Sequence, residues 1–259
     1  MPSHYAHYRF GTDAIAAMDP QSARAVRRFR QLYDVGLHGP DIFFYNNIFI
    51  QDKSTKLARE THGESGGDFF LRICKRLRLE PNEAATAYLC GVLAHYCLDS
   101  VMHPFVLTQI ADGKIGHAEL ETEFDRYLLQ REGKRQPNTF DCSGHVRLTP
   151  GECATVSLFY PTATAALVSA SVKGMARWMK VLAMPNGNLR RILESGAGPK
   201  LRQHFMGRSA NKNCAHLDEE MLTLYRQALE QFPQMLGELQ SHMHHNAPLG
   251  ELFAPTFNG

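Results

Sequence analysis

Residues 84–103 read AATAYLCGVLAHYCLDSVMH, and this stretch decides the fold. From Ala84 to Met102 its only charged side chain is Asp99, set among Leu89, Val92, Leu93, Ala94, Leu98 and Val101. A helix that is apolar on every side is buried among other elements. The run is long enough to suggest a membrane span, but His95, Asp99, His103 and Pro104 interrupt it, which a spanning helix rarely tolerates. A carboxylate inside such a helix is costly unless it is paired or bound to a metal. His95 precedes Asp99 by four residues, so both lie on one face, one turn apart. His103 follows four residues later, at the expected helix end before Pro104.

Downstream the arrangement recurs. His117 and Glu121 stand at i and i+4 of a helix predicted over about 117–130, with Leu120, Phe124, Tyr127 and Leu128 as its apolar stripe. A single histidine on an apolar face is ordinarily a core residue. Glu121 alone, between Glu119 and Glu123, would read as solvated. Two His-x3-carboxylate pairs joined by a third histidine point instead to a metal site, and imidazole with carboxylate suits zinc.

The rest of the 259-residue chain is also helical in period, so an all-α fold is predicted, as a single compact multi-helix domain over 1–259. Metal-ligand helices occupy about 1–130 and packing helices about 149–246. Asp19-Pro20 opens a helix that stops near Gly36. Others run from about Gly67 to Leu79, from Pro81 to about Met102, and from Pro161 to about Met184. Residues 131–148 read as a connection. Thr149-Pro-Gly-Glu152 has the form of a capping box, and the last helix begins near Leu217 and is kinked or divided at Pro233. The net charge of +2 excludes a strongly basic nucleic-acid module. Six cysteines without a CxxC pair exclude a cysteine zinc ribbon. The opening Met1-Pro-Ser-His lacks the features of a secretory signal, so a cytoplasmic chain with reduced thiols is expected.

The segment His95-Tyr-Cys-Leu-Asp99, then His103, then His117-Ala-Glu-Leu-Glu121 resembles the central zinc motif of the zinc-dependent phospholipase C family, whose superfamily includes the S1/P1-type nucleases. Ala6-His7-Tyr8-Arg9-Phe10-Gly11 is similar to the N-terminal histidine segment of its short bacterial members. Gly39-Pro40-Asp41-Ile42 and Thr61-His62-Gly63 resemble the segments carrying an early aspartate and the next histidine. The similarity spans about residues 1–125. It implies the all-α phospholipase C/P1 nuclease fold and two to three zinc ions. Asp41, His62, His95 and Asp99 would hold one zinc, His7 and a bridging Asp99 a second, and His103, His117 and Glu121 the third. Secreted members complete the second site with a mature N-terminal Trp, which this chain lacks. The amino terminus (Met1, or Pro2 after Met removal) or His4 is the substitute, and a two-zinc enzyme the alternative.

The resemblance implies a phosphodiesterase that uses metal-activated water on a phospholipid or related phosphodiester, with Asp41 as a ligand that also orients or deprotonates the water. The alternatives are a single-strand nuclease or small phosphodiester hydrolase with the same cluster, and a metal-stabilised helical protein without catalysis. Near-neutral charge disfavours nucleic acid. The surface formed by Arg24, Arg27, Arg28 and Arg30 reads as a solvated face or as a contact for an anionic membrane, in peripheral attachment, or for nucleic acid. Phe43-Phe44-Tyr45 reads as either core or an aromatic wall for substrate. His38 reads as a loop residue within reach of the site, His145, His204 and His216 as structural or exposed, and His242, His244 and His245 as a solvated helix end.

Overall fold

In a computed structural model, which describes residues 4–196 and 198–259, helices follow one another along the whole chain. The first half holds α1 (His4–Ala14), α2 (Pro20–Arg28), α3 (Arg30–Gly36), α4 (Lys53–Gly63), α5 (Gly66–Leu79), α6 (Glu83–Ile110) and α7 (His117–Arg131). The second holds α8 (Pro150–Ser157), α9 (Ala165–Leu182), α10 (Asn188–Gly196), α11 (Pro199–Arg202) and α12 (Asp218–His245). Among the described residues there is no strand. One isolated bridge joins Ser65 to Thr256. The fold is all-α, as expected, and consistent with the phospholipase C/P1 nuclease type.

α6 is the axis, because a helix without a polar face has to be enclosed. α3 and α12 pack most extensively on it, and α1 and α2 complete the wrap. The α3–α6 crossing depends on two glycines. A Cβ on Gly91 would stand 2.3 Å from the Tyr33 carbonyl oxygen, and one on Gly36 2.6 Å from that of Tyr88. One apolar cluster joins both halves of the chain, from Phe10 and Val26 through Tyr88 and Phe124 to Val172, Phe232 and Phe257. Among the described residues no helix is long and apolar enough to cross a membrane.

Local rules account for most helix starts. Asp19 accepts the amide hydrogens of Gln21 and Ser22, and Thr149 with Glu152 forms the expected capping box. The expected 20–36 helix breaks at Phe29 (φ −117°, ψ 48°), and the break lets Val26 on one segment and Leu32, Tyr33 and Val35 on the next all turn inward. The helix expected to end before Pro104 instead runs to Ile110, and α12 passes Pro233 unbroken. Both prolines lie on the exposed side of their helices, where one forfeited ladder bond is tolerated. The helix expected from Pro161 starts at Ala165, where Thr164 accepts the Leu167 amide hydrogen.

Candidate metal centre

Five elements bring the predicted donors to one place. α6 supplies His95, Asp99 and His103 along one face, and α7 supplies His117 and Glu121. α1 supplies His7. Its start is held by Asp125 on α7, whose carboxylate accepts the amide hydrogens of Tyr5 and Ala6 at 3.0 and 2.7 Å. α4 ends with His62, and a 3-10 turn over Gly39–Tyr45 supplies Asp41. The turn crosses directly over His95. Gly39 has φ +46°, and a Cβ there would stand 2.5 Å from the His95 ring, so glycine is required twice over.

Within the centre Asp99 meets three imidazoles. His7 Nε2 is 3.1 Å from its Oδ1, His95 Nε2 is 3.2 Å from its Oδ2, and His103 Nε2 is 3.9 Å from its Oδ1. Asp41 faces His62 at 3.0 Å and His95 at 3.9 Å. Glu121 faces His117 at 2.9 Å and His103 at 3.5 Å. The donor atoms form three groups of metal-binding size: His7, His95 and Asp99; Asp41, His62 and His95; and His103, His117 and Glu121. All eight predicted residues therefore converge. All are buried except His117, which is half-buried, and the isolated reading of Glu121 as solvated does not hold.

Outer contacts fix the rings. His62 Nδ1–H donates to the Ala58 carbonyl at 2.7 Å, and His103 Nδ1–H to the Phe257 carbonyl at 3.0 Å. Each bond sets the tautomer that turns Nε2 toward the carboxylates, the usual support of a metal-binding histidine. Burial disfavours charge on His103, but the carboxylates of Asp99 and Glu121 outweigh it and push its pKa up to about 9. His7 and His62 are likewise raised, against burial, by Asp99 and Asp41. Asp99 is held well below the carboxylate range because the facing imidazoles outweigh its burial. For His95 burial dominates, and its pKa falls to about 4.

Buried polar atoms left without hydrogen bonds show what the cluster lacks. Among the described residues these include His95 Nε2, Asp41 Oδ2, Asp99 Oδ2 and Glu121 Oε2, all on residues of the centre. Orphaned atoms of this kind in a dry interior are destabilising unless a cation completes them, and the imidazole–carboxylate set fits zinc. Above them a cavity of about 170 Å³ opens between Asp41, Phe44, Arg59, His62, Asp99, His103, His117, Glu121 and Asn258.

The remaining predicted residues sort as follows. Phe43 and Tyr45 are core, whereas Phe44 lines the mouth, so both readings of that run hold in part. His38 lies in the turn between α3 and the 3-10 segment, as expected of a residue at the helix end, and is fully buried, with Nε2 2.8 Å from His145 Nε2. His4 Nε2 bonds the Tyr45 hydroxyl at 2.7 Å. Met1 and Pro2, the other substitutes for the missing Trp, lie outside the described residues. His242 is buried against the Ala247 carbonyl, while His244 and His245 are solvated. Arg24, Arg27 and Arg28 are exposed, and Arg28 and Arg30 are paired with Glu83 and Asp34. Arg59, Phe257 and Asn258 escaped the sequence reading: Arg59 stands three residues before His62 on α4, a helical spacing that could have found it, whereas nothing in local spacing ties Phe257 and Asn258 to the histidines.

Comparison with curated proteins and with solved structures finds no match. The family model of zinc dependent phospholipase C matches residues 6–158, a span that contains all eight converging donors and more than half of the chain. The chain therefore belongs to the zinc dependent phospholipase C family.

Proposed function

We propose that this chain is a phosphodiester hydrolase that cleaves phospholipids in the manner of a phospholipase C. The observation that carries the reading is the set of orphaned donor atoms beneath an open mouth: Asp41 Oδ2, Asp99 Oδ2 and Glu121 Oε2 belong to residues that line it, and His95 Nε2 stands 3.2 Å from Asp99 Oδ2. A closed structural zinc site leaves no such opening. In this reading Asp41, His62, His95 and Asp99 hold one ion, His7 and Asp99 contribute to a second, and His103, His117 and Glu121 hold a third. Bound zinc supplies Lewis-acid activation of water and neutralises charge on the phosphoryl oxygens.

The chain's own groups do the rest. With Asp41 and His62 holding the ion, one Asp41 oxygen would be the ligand and the other would orient the attacking water and accept its proton. The Arg59 guanidinium at the rim is placed to bind a non-bridging oxygen of the diester. Phe44 covers the apolar side of the leaving group and excludes water from it. We further read 1–259 as one domain, since the second half closes the site through the Phe257 carbonyl and Asn258.

Metal analysis with parallel assays tests this. Two to three zinc ions per chain are expected, together with hydrolysis of short-chain phosphatidylcholine that is lost in D41N. Preference for single-stranded DNA would transfer the same centre to a nuclease. Inertness toward phosphatidylcholine, a bis-aryl phosphate and DNA alike would leave only a structural metal site.

A further inference from the structure

Residues 46–52 join the Asp41 turn to the His62 helix, and they hold large apolar side chains in water. Phe49 is 80% exposed and Ile50 62%, while the neighbouring Ile48 is packed against the core. The loop is closed at its base. Asn46 Nδ2–H donates to Asp52 Oδ2 at 2.8 Å, and Asp52 Oδ1 accepts the amide hydrogens of Ser54 and Thr55 at the start of α4. Within it the Phe49 amide hydrogen is bonded to Asn47 Oδ1 at 3.2 Å. The tip is thus presented on a tied base, and the fold gains nothing from its two side chains.

The tip also has a place. Phe44, two residues before the loop, and Arg59 on α4 after it both line the mouth of the metal centre, so the loop rises from the rim. Lys53 and Lys56 are exposed beside it on α4, with Glu60 3.5 Å from Lys56. An apolar tip flanked by ammonium groups matches the two layers of a membrane surface, acyl chains below and phosphates above.

We propose that Phe49 and Ile50 are an interfacial anchor that inserts into a phospholipid bilayer and seats the mouth of the centre at headgroup level. Lys53 and Lys56 lie among the headgroups and favour anionic lipid. Its purpose rests on the phospholipid reading above; the contact itself does not. A dissolved phosphodiester or a nucleic acid strand offers no apolar phase to such a tip, whereas a lipid substrate arrives within one.

The test uses the full chain, sedimented with vesicles of phosphatidylcholine alone and of phosphatidylcholine mixed with phosphatidylglycerol. Wild type binds both, more tightly with phosphatidylglycerol. F49S/I50S lowers vesicle binding by about tenfold or more and lowers hydrolysis of vesicle lipid in proportion, while hydrolysis of monomeric short-chain phosphatidylcholine is unchanged. Both residues are exposed, so the double variant folds. F49W gives a blue-shifted emission on adding vesicles, over a constant background from the buried Trp178. Binding by F49S/I50S equal to wild type, F49W emission unmoved by vesicles, or no vesicle binding by wild type would each overturn the anchor. A chain that binds through this loop yet cleaves no lipid keeps the anchor and loses the catalytic reading. A chain that cleaves monomeric lipid without binding vesicles does the reverse.

Discussion

Asp99 is the residue on which the proposed centre turns, because its two oxygens face His7, His95 and His103 from α1 and two further positions on α6. D99N keeps the volume and removes the charge. Those imidazoles then share a buried space with no anion between them, and breaking a buried pair from one side costs about 3–5 kcal/mol. Zinc content should fall by at least one ion, activity by about a hundredfold or more, and the melting temperature should drop. Unchanged metal content and melting would remove Asp99 from the centre. The sequence reached this residue because helical spacing alone places His95, Asp99 and His103 on one face. It reached His117 and Glu121 by the same rule. Periodicity says nothing about His38 and His145, whose ring nitrogens meet across more than a hundred residues of chain. Nor does it predict the Phe257 carbonyl that orients His103.

Among the elements, those with a long apolar stripe or a cap signal were legible, and α1, α4, α10 and α11 were not. α6 is apolar on every side and α12 carries a buried stripe, whereas α1 and α4 take their place from contacts made elsewhere in the fold. Asp125 caps α1 from α7, and the α4 cap Asp52 belongs to the loop tied by Asn46. The α7–α12 contact holds a buried charge with a measurable consequence. Asp218 lies beside Glu123 and 3.8 Å from Arg126, which already pairs with Glu123 at 2.6 Å. Burial and the Glu123 charge outweigh Arg126 and raise the Asp218 pKa to about 7, from an ordinary 3.8. The folded chain therefore binds a proton that the unfolded chain has released between about pH 4 and about pH 7, and stability falls as pH rises through that window. D218N removes this loss. Its melting temperature should match wild type near about pH 4 and exceed it by several degrees above about pH 7. A gap independent of pH would show that Asp218 ionises freely.

For the whole molecule, the centre gathers donors from parts of the chain far apart in sequence: α1, the 3-10 turn, α4, α6 and α7 all supply the same few donor atoms. Whatever binds there binds the folded chain and not the unfolded one, so its removal is a test of the entire arrangement. Chelation should lower the melting temperature, and the loss should depend on pH with a definite sign. In the metal-free chain His103 has its pKa raised to about 9 from 6.5, so its attraction to Asp99 and Glu121 supports the fold fully below about pH 6.5 and is lost as pH rises through about 9. Metal binding requires the same imidazoles unprotonated and strengthens over that rise. The two trends diverge. The gap in melting temperature between zinc-loaded and chelated protein should therefore widen from about pH 6.5 to about pH 9 and narrow toward acid, where protons displace the ion. Calorimetric scans across that range, with zinc and with chelator, give the answer. A gap that is absent, or that shrinks as pH rises, would mean that His103 and its partners satisfy one another without a metal, and the proposed centre would be no more than a buried network of ion pairs.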